Sequence, residues 1–240
     1  QTITQIGYEA FAQQEIEKIT LPSTVTSIDE MAFAGCKNLQ SISLPEGLSS
    51  IAGRAFQDCI SLKSIFLPAS LSGIYSQAFL GCTGLESFEV AKESTRFHSS
   101  DGILYDTTGK YLLLYPAGRI GPCNIEDGTE NIAPYAFADS QFLTEIHFPE
   151  SLTFISSFAF YRCTSLKELI IPDTVTQLDD SAFRESGLQK VKLPRKLSEL
   201  DDSYLFYQCR DLREVIFPEE ITSIGFFTFS GSGIETIDLP

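Results

Sequence analysis

The sequence predicts a solenoid, in which short units stack one on another and each contributes a strand. Three observations predict it. Phenylalanines recur as Phe11, Phe33, Phe56, Phe79, Phe137, Phe160, Phe183, Phe206 and Phe229, with gaps of 22, 23, 23, 58, 23, 23, 23 and 23 residues. Five positions before the ladder stand Ile6, Ile28, Ile51, Ile74, Ile132, Ile155, Leu178 and Ile224, with Leu200 displaced by one. A Leu-x-x-Ile-x-Leu-Pro phrase comes after it, as in Leu39 to Pro45 and Leu62 to Pro68, and eight of the 11 prolines close such a phrase.

Each element of the unit follows from its residues. The phrase reads as a strand with Ile and Leu two apart on one face. Proline ends it, having no N–H to continue a ladder. A turn follows, then a Val/Leu-x-x-Ile stretch, then a brief helical turn carrying Ala-Phe. A unit of ~23 residues cannot bury its own apolar side, whereas stacked units lay Phe on Phe and Ile on Ile in one continuous core. At ~4.8 Å per strand, nine rungs make a curved rod on the order of 45 Å long.

The ladder is interrupted once. Between Phe79 and Phe137, Asp101-Gly102 is followed by Ile103-Leu104-Tyr105, then Asp106 to Gly109, then Tyr111 to Tyr115. Two apolar strands around a Gly-containing loop predict a β-hairpin. Tyr105, Leu113 and Tyr115 either pack on neighbouring repeats or offer contacts to a ligand.

Composition narrows the function. At 240 residues, 43% apolar and 12% aromatic, the chain is long and apolar enough to bury a core, and is neither disordered nor collagen-like. No apolar run reaches the ~18–20 residues that span a bilayer, so the segment is not expected to insert in a membrane. A net charge of −15 disfavours nucleic acid and anionic lipid as partners. Cys36, Cys59, Cys82, Cys163 and Cys209 each fall three residues after a ladder Phe, where other units carry Ser140, Ser186 and Ser232. That exchange predicts free thiols in a small polar slot that caps local backbone groups, not disulfides. No Cys-x-x-Cys or Cys/His cluster suggests zinc. His98 and His147 have no nucleophile at a recognisable spacing, and Ser230-Gly231-Ser232-Gly233 lacks the Lys of a phosphate loop. No catalysis and no cofactor are expected.

The phrase Leu-Pro-x-x-Leu-x-x-Ile-x-x-x-Ala-Phe-x-x-Cys-x-x-Leu-x-x-Ile, standing here as Leu44 to Ile65 with Leu48, Ile51, Phe56, Cys59 and Leu62 in register, resembles the BspA-like class of bacterial leucine-rich repeats. The resemblance covers essentially the whole chain. It implies a leucine-rich repeat solenoid, a right-handed β-α/3-10 superhelix with a parallel sheet on its concave side. The expected organisation is a single domain over 1–240 of about nine 22–24-residue repeats. Repeats fall within 1–91 and 121–240, with an inserted β-hairpin at about 92–120. The resemblance also implies an extracellular or cell-surface bacterial protein that binds a host or neighbouring-cell protein or glycan. It supplies no catalytic residues.

In such a horseshoe the strand residues between core positions face the concave side. They run from Ser41, Ser43 and Ser64 to Thr236 and Asp238. Phe66, His147, Ile170 and Ile216 are large for that face and are candidate ligand contacts, with Glu89, Lys190, Lys192 and, in the hairpin, Tyr105. Strand preference for β-branched and aromatic residues explains the large ones equally well. Lys190, Lys192, Arg195 and Lys196 form either a solvated face or a docking point for an acidic glycan or peptide. Asp179, Asp180, Asp201 and Asp202 either cap short helical turns or stack into a hard-cation site. The chain ends on Leu239-Pro240 without a polar cap, which reads as a piece of a longer array or as ends covered by contacts. The expected function is a non-catalytic binding module. Its alternative is a structural spacer or targeting arm with no ligand on the concave face. Nothing in the pattern fixes an oligomeric state.

Overall fold

The structure, a computed structural model, describes residues 2–200 and 204–240. The backbone packs into two compact units, Gln1–Thr108 with Leu114–Arg119, and Gly109–Leu113 with Ile120–Pro240.

In the first unit the proline-terminated phrases are strands in parallel register. Ile19 of Lys18–Thr20 stands opposite Ile42 of Ser41–Ser43. Ile65 and Leu67 of Ser64–Leu67 stand opposite Phe88 and Val90 of Ser87–Val90. The Val/Leu-x-x-Ile stretches turn out to be strands as well. Gln5–Ile6, Ser27–Ile28, Ser50–Ile51 and Gly73–Ile74 form a second parallel ladder, isoleucine opposite isoleucine. The second unit repeats both features. Leu169, Val191 and Val215 align across Glu168–Ile170, Lys190–Lys192 and Glu214–Ile216, and Ile132, Ile155 and Leu178 align across the shorter strands.

The third side of each rung corrects the expected helical turn: among the described residues there is no helix. Two backbone sites are left-handed in every rung but that of Phe79, which has only the second, Gly81; they lie two residues before and two after the ladder Phe. Met31 and Gly35 have φ of 58° and 71°, Arg54 and Asp58 of 58° and 57°, Phe158 and Arg162 of 57° and 56°. These reversals alternate the N–H directions. The N–H groups of Ala32, Ala34 and Cys36 donate within their own turn, to Asp29, Met31 and Phe33. Those of Phe33 and Gly35 donate to Ala55 and Gln57 of the next rung, at 2.8 and 2.7 Å. A helix would spend all of these donors inside one unit. The stack of turns divides them and so joins the rungs.

The ladder phenylalanines stack ring on ring in each unit. Centroids are 5.3, 5.4 and 5.2 Å apart along Phe11, Phe33, Phe56 and Phe79, where Phe88 closes the run edge-on. The spacings are 4.8, 5.4, 5.3 and 5.5 Å along Phe137, Phe160, Phe183, Phe206 and Phe229. All six cysteines are free and buried. In the slot after the ladder, each thiol donates to the carbonyl of the ladder Phe one rung earlier. Cys36 reaches Phe11, Cys59 Phe33 and Cys82 Phe56, at 2.9, 3.2 and 2.9 Å. Cys163 reaches Phe137 and Cys209 reaches Phe183, at 3.1 and 3.0 Å. The capped group therefore lies in the neighbouring rung and is not local in sequence. Burial pushes the thiols of Cys36, Cys82 and Cys163 above their ordinary range and that of Cys209 up to about 11, which keeps them protonated donors.

Within the insertion, Phe97–Ser100 pairs antiparallel with Ile103–Asp106 around Asp101-Gly102. Both turn residues have positive φ, 49° and 74°, as a tight two-residue hairpin loop requires. Tyr105 does not face solvent. It is 1% exposed and stacked on His98 at 5.3 Å, so it is removed from the candidate ligand contacts. Tyr115 is buried too.

Candidate functional site

The parallel register converts sequence phase into rows of outward side chains. In the first unit Lys18 stands beside Ser41, Thr20 beside Ser43, Ser64 beside Ser87 and Phe66 beside Glu89. This face is dominated by hydroxyls, and Phe66, 46% exposed, is its one large apolar group.

The second unit's strand face is different in chemistry. One row runs Glu168, Lys190, Glu214 and its neighbour Ile170, Lys192, Ile216. Ile170 is 70% exposed and Ile216 38%. Lys190 Nζ lies 2.8 Å from Glu214, whose hydrogen bond holds the ammonium pKa above its ordinary value. Among the described residues no acidic side chain pairs with Lys192. His147 Nε2 is 3.5 Å from Glu145. An open groove of about 680 Å³ runs over this end of the face, lined by Glu145, His147, Glu168, Ile170 and Pro172.

Four of the candidates, Lys190, Lys192, Ile170 and Ile216, are therefore side by side, whereas Phe66 and Glu89 form a separate pair in the other unit. The basic spot is partly neutralised, because Arg195 Nε is 3.3 Å from Asp173 and Lys190 is held by Glu214. Asp179 accepts from the Gln177 amide and Asp180 from the Ser181 hydroxyl. With no helix among the described residues they cap none. Asp201 and Asp202 lie outside the described residues. Among the described residues no group of three or more His, Cys, Asp or Glu is placed to hold a metal ion.

One surface was missed in the sequence. On the turn side of the second unit the left-handed position before the ladder carries Tyr135, Phe158, Ser181, Tyr204 and Phe227, where the first unit has Glu9, Met31 and Arg54. Tyr135 stacks on Phe158 at 4.9 Å and Tyr204 on Phe227 at 5.0 Å. Arg162 lies over Tyr161 at 4.7 Å and Arg184 over Tyr207 at 4.9 Å. Both arginines reach Glu185, at 2.9 and 3.3 Å. Burial pushes the Glu185 carboxyl up, but Arg162 and then Arg184 outweigh it and hold its pKa below the ordinary value. The signal was available as aromatic residues two before Phe137, Phe160, Phe206 and Phe229. It is hidden because the same phase holds unrelated residues in the first unit.

The model of the BspA type leucine-rich repeat region matches residues 4–101 and 125–240, in six copies. The chain belongs to this family. The BspA-type pattern thus passes over 102–124, which include Ile103–Asp106, the second strand of the insertion's hairpin. No curated protein matches the sequence. Among solved structures, a leucine-rich repeat protein from Eubacterium ventriosum superposes with a TM-score of 0.76 at 22% identity, over 99% of this chain and 76% of that one. The pneumococcal vaccine antigen PcpA gives 0.70 at 22% identity, over 98% and 61% of the two chains. A leucine-rich cell surface protein from Faecalibacterium prausnitzii gives 0.69 at 23% identity, over 89% and 69%. Likenesses at this identity establish the fold, a bacterial leucine-rich repeat solenoid.

Proposed function

We propose that this BspA-type array is a non-catalytic binding module of a bacterial surface or secreted protein, with the strand face of its second unit as the contact. The observation that carries the reading is the row Ile170, Lys192, Ile216. Two exposed isoleucines flank a cation that has no acidic partner among the described residues, while the equivalent row of the first unit holds Thr20, Ser43, Phe66 and Glu89. The scaffold accepts small polar residues there, so apolar ones are not a requirement of the stack. Exposed isoleucine surface is apolar area whose burial by a partner stabilises a complex. Surface placement is supported by the family and by the surface naming of one structural relative. The ligand class is a host or neighbouring-cell protein or glycan. Purified protein is to be tested against matrix proteins and a glycan panel, alongside the triple variant Ile170→Ser, Lys192→Ser, Ile216→Ser. Binding that survives the triple change contradicts the assignment. The hydroxyls that cover this face of the first unit apart from Lys18, Phe66 and Glu89 support a second reading there, that of a spacer without a ligand on this face.

A further inference from the structure

The aromatic and arginine side chains on the turn side of the second unit are not required by the fold. The first unit makes the same left-handed turns with Glu9, Met31 and Arg54, so rings at this position are a choice of surface and not of backbone. Beside them lies a recess of about 590 Å³ whose wall includes Arg184, Tyr207, Gln208 and Arg210. Its two carboxylates are already engaged. Glu185 is shared by Arg162 and Arg184, and Asp211 lies 3.3 Å from Lys167. The Arg210 guanidinium is different: its hydrogen bonds go to the neutral Gln208 amide oxygen, at 3.2 Å from both Nε and a terminal nitrogen. The charged side chains lining the recess are Arg184 and Arg210 with Glu185 and Asp211, and both carboxylates are paired to further cations, Arg162 and Lys167, so the recess is not acidic in a chain of −15.

We propose that this recess is a docking site for an acidic segment of a partner protein, seated with a carboxylate on Arg210 and apolar side chains against the Tyr207 edge of the aromatic band. Charge complementarity selects the occupant. A carboxylate accepts from a guanidinium fork in a two-point geometry that a hydroxyl-bearing sugar does not match in strength. Arginine and tyrosine are the residue types that dominate such anchors. At physiological salt the Debye length is about 8 Å, so repulsion from distant carboxylates is largely screened while contacts within the recess are not. The surface is independent of the strand face, and so is its fate under test.

The test is fluorescence anisotropy with labelled decapeptides of alternating Glu and Leu, Lys and Leu, or Ser and Leu, at physiological salt. The Glu-Leu peptide is expected to bind saturably, and Arg210→Glu to weaken it by at least about tenfold, the loss of one charged hydrogen-bonded contact. Lys92→Glu, the same charge change on an exposed lysine of the first unit, is expected to leave its affinity within twofold. Arg210 is exposed, and circular dichroism of each variant verifies that the stack is intact. The proposal is overturned if the Glu-Leu peptide fails to bind or if Arg210→Glu has no effect. It is equally overturned if the Lys or Ser peptide binds more tightly, or if Lys92→Glu abolishes binding as fully as Arg210→Glu.

Discussion

The two units are built on one inward register and differ in what that register turns outward. Phe33 on Phe56 and Phe160 on Phe183 are the same stack, both at 5.4 Å, and Cys59 and Cys163 cap ladder carbonyls in the same way. Lys18, Thr20, Ser41, Ser43, Ser64, Phe66, Ser87 and Glu89 cover the strands of the first unit, mostly with hydroxyls, whereas Glu168, Ile170, Lys190, Lys192, Glu214 and Ile216 cover those of the second. Glu9, Met31 and Arg54 occupy the turn positions that hold Tyr135, Phe158, Tyr204 and Phe227 in the other unit. An array of this kind separates two jobs by phase: inward positions are fixed by stacking, and outward positions are free to carry recognition. The second unit has used that freedom more than the first.

The largest expected effect breaks the likeness of the two interiors. Phe56→Ala and Phe160→Ala are each predicted to cost about 3–5 kcal/mol in denaturant unfolding, because each removes a fully buried ring with neighbours on both faces. A loss confined to one unit contradicts the equivalence. Next, Cys59→Ala removes the thiol donor from the Phe33 carbonyl, which keeps the Cys36 N–H, and is predicted to cost about 0.5–1.5 kcal/mol, with Cys59→Ser restoring most of it. Equal costs for Ala and Ser show that the slot needs volume and not a donor.

Two pH effects sharpen the contrast between core and surface. Burial raises the Cys209 pKa to about 11 in the folded chain, against about 8.5 unfolded, so its contribution is full below about pH 8.5 and is lost as pH climbs toward 11. Unfolding midpoints measured through that window are predicted to fall less steeply in Cys209→Ser. Glu185 has the opposite sign. Its folded pKa is depressed, so the stability it contributes is present above its unfolded value of about 4.3 and drains as pH drops through the folded one. Glu185→Gln is predicted to flatten the acid limb. The smallest effect belongs to the strand face, where Ile170→Ser is predicted to shift stability by no more than about 0.5 kcal/mol while reducing any binding at that row.

The 23-residue phase carried the ladder, the parallel strands and the outward rows, because same-phase residues must stack if isolated units cannot bury their apolar sides. It could not reveal the second ladder, since a two-residue strand such as Ser50–Ile51 has no periodicity of its own. Nor could it separate a helical turn from a left-handed one. Ala55-Phe56 followed by Cys59 has helix-like spacing, and only the backbone shows Arg54 and Asp58 at positive φ. Tyr105 went astray for a related reason: alternation in an insertion identifies a strand but not which of its faces the neighbouring rungs cover. The turn-side aromatics were visible as letters and lost as a pattern, because five of the nine rungs do not carry them.

Selective aromatic labelling with nuclear Overhauser spectroscopy tests the stack most directly. Cross-peaks are predicted between the rings of Phe33 and Phe56, and between those of Phe56 and Phe79, with none linking Phe33 to Phe79 across the ring that separates them. Rings of adjacent period that show no cross-peak, or a direct Phe33–Phe79 peak, contradict the register on which both the core and the outward rows depend.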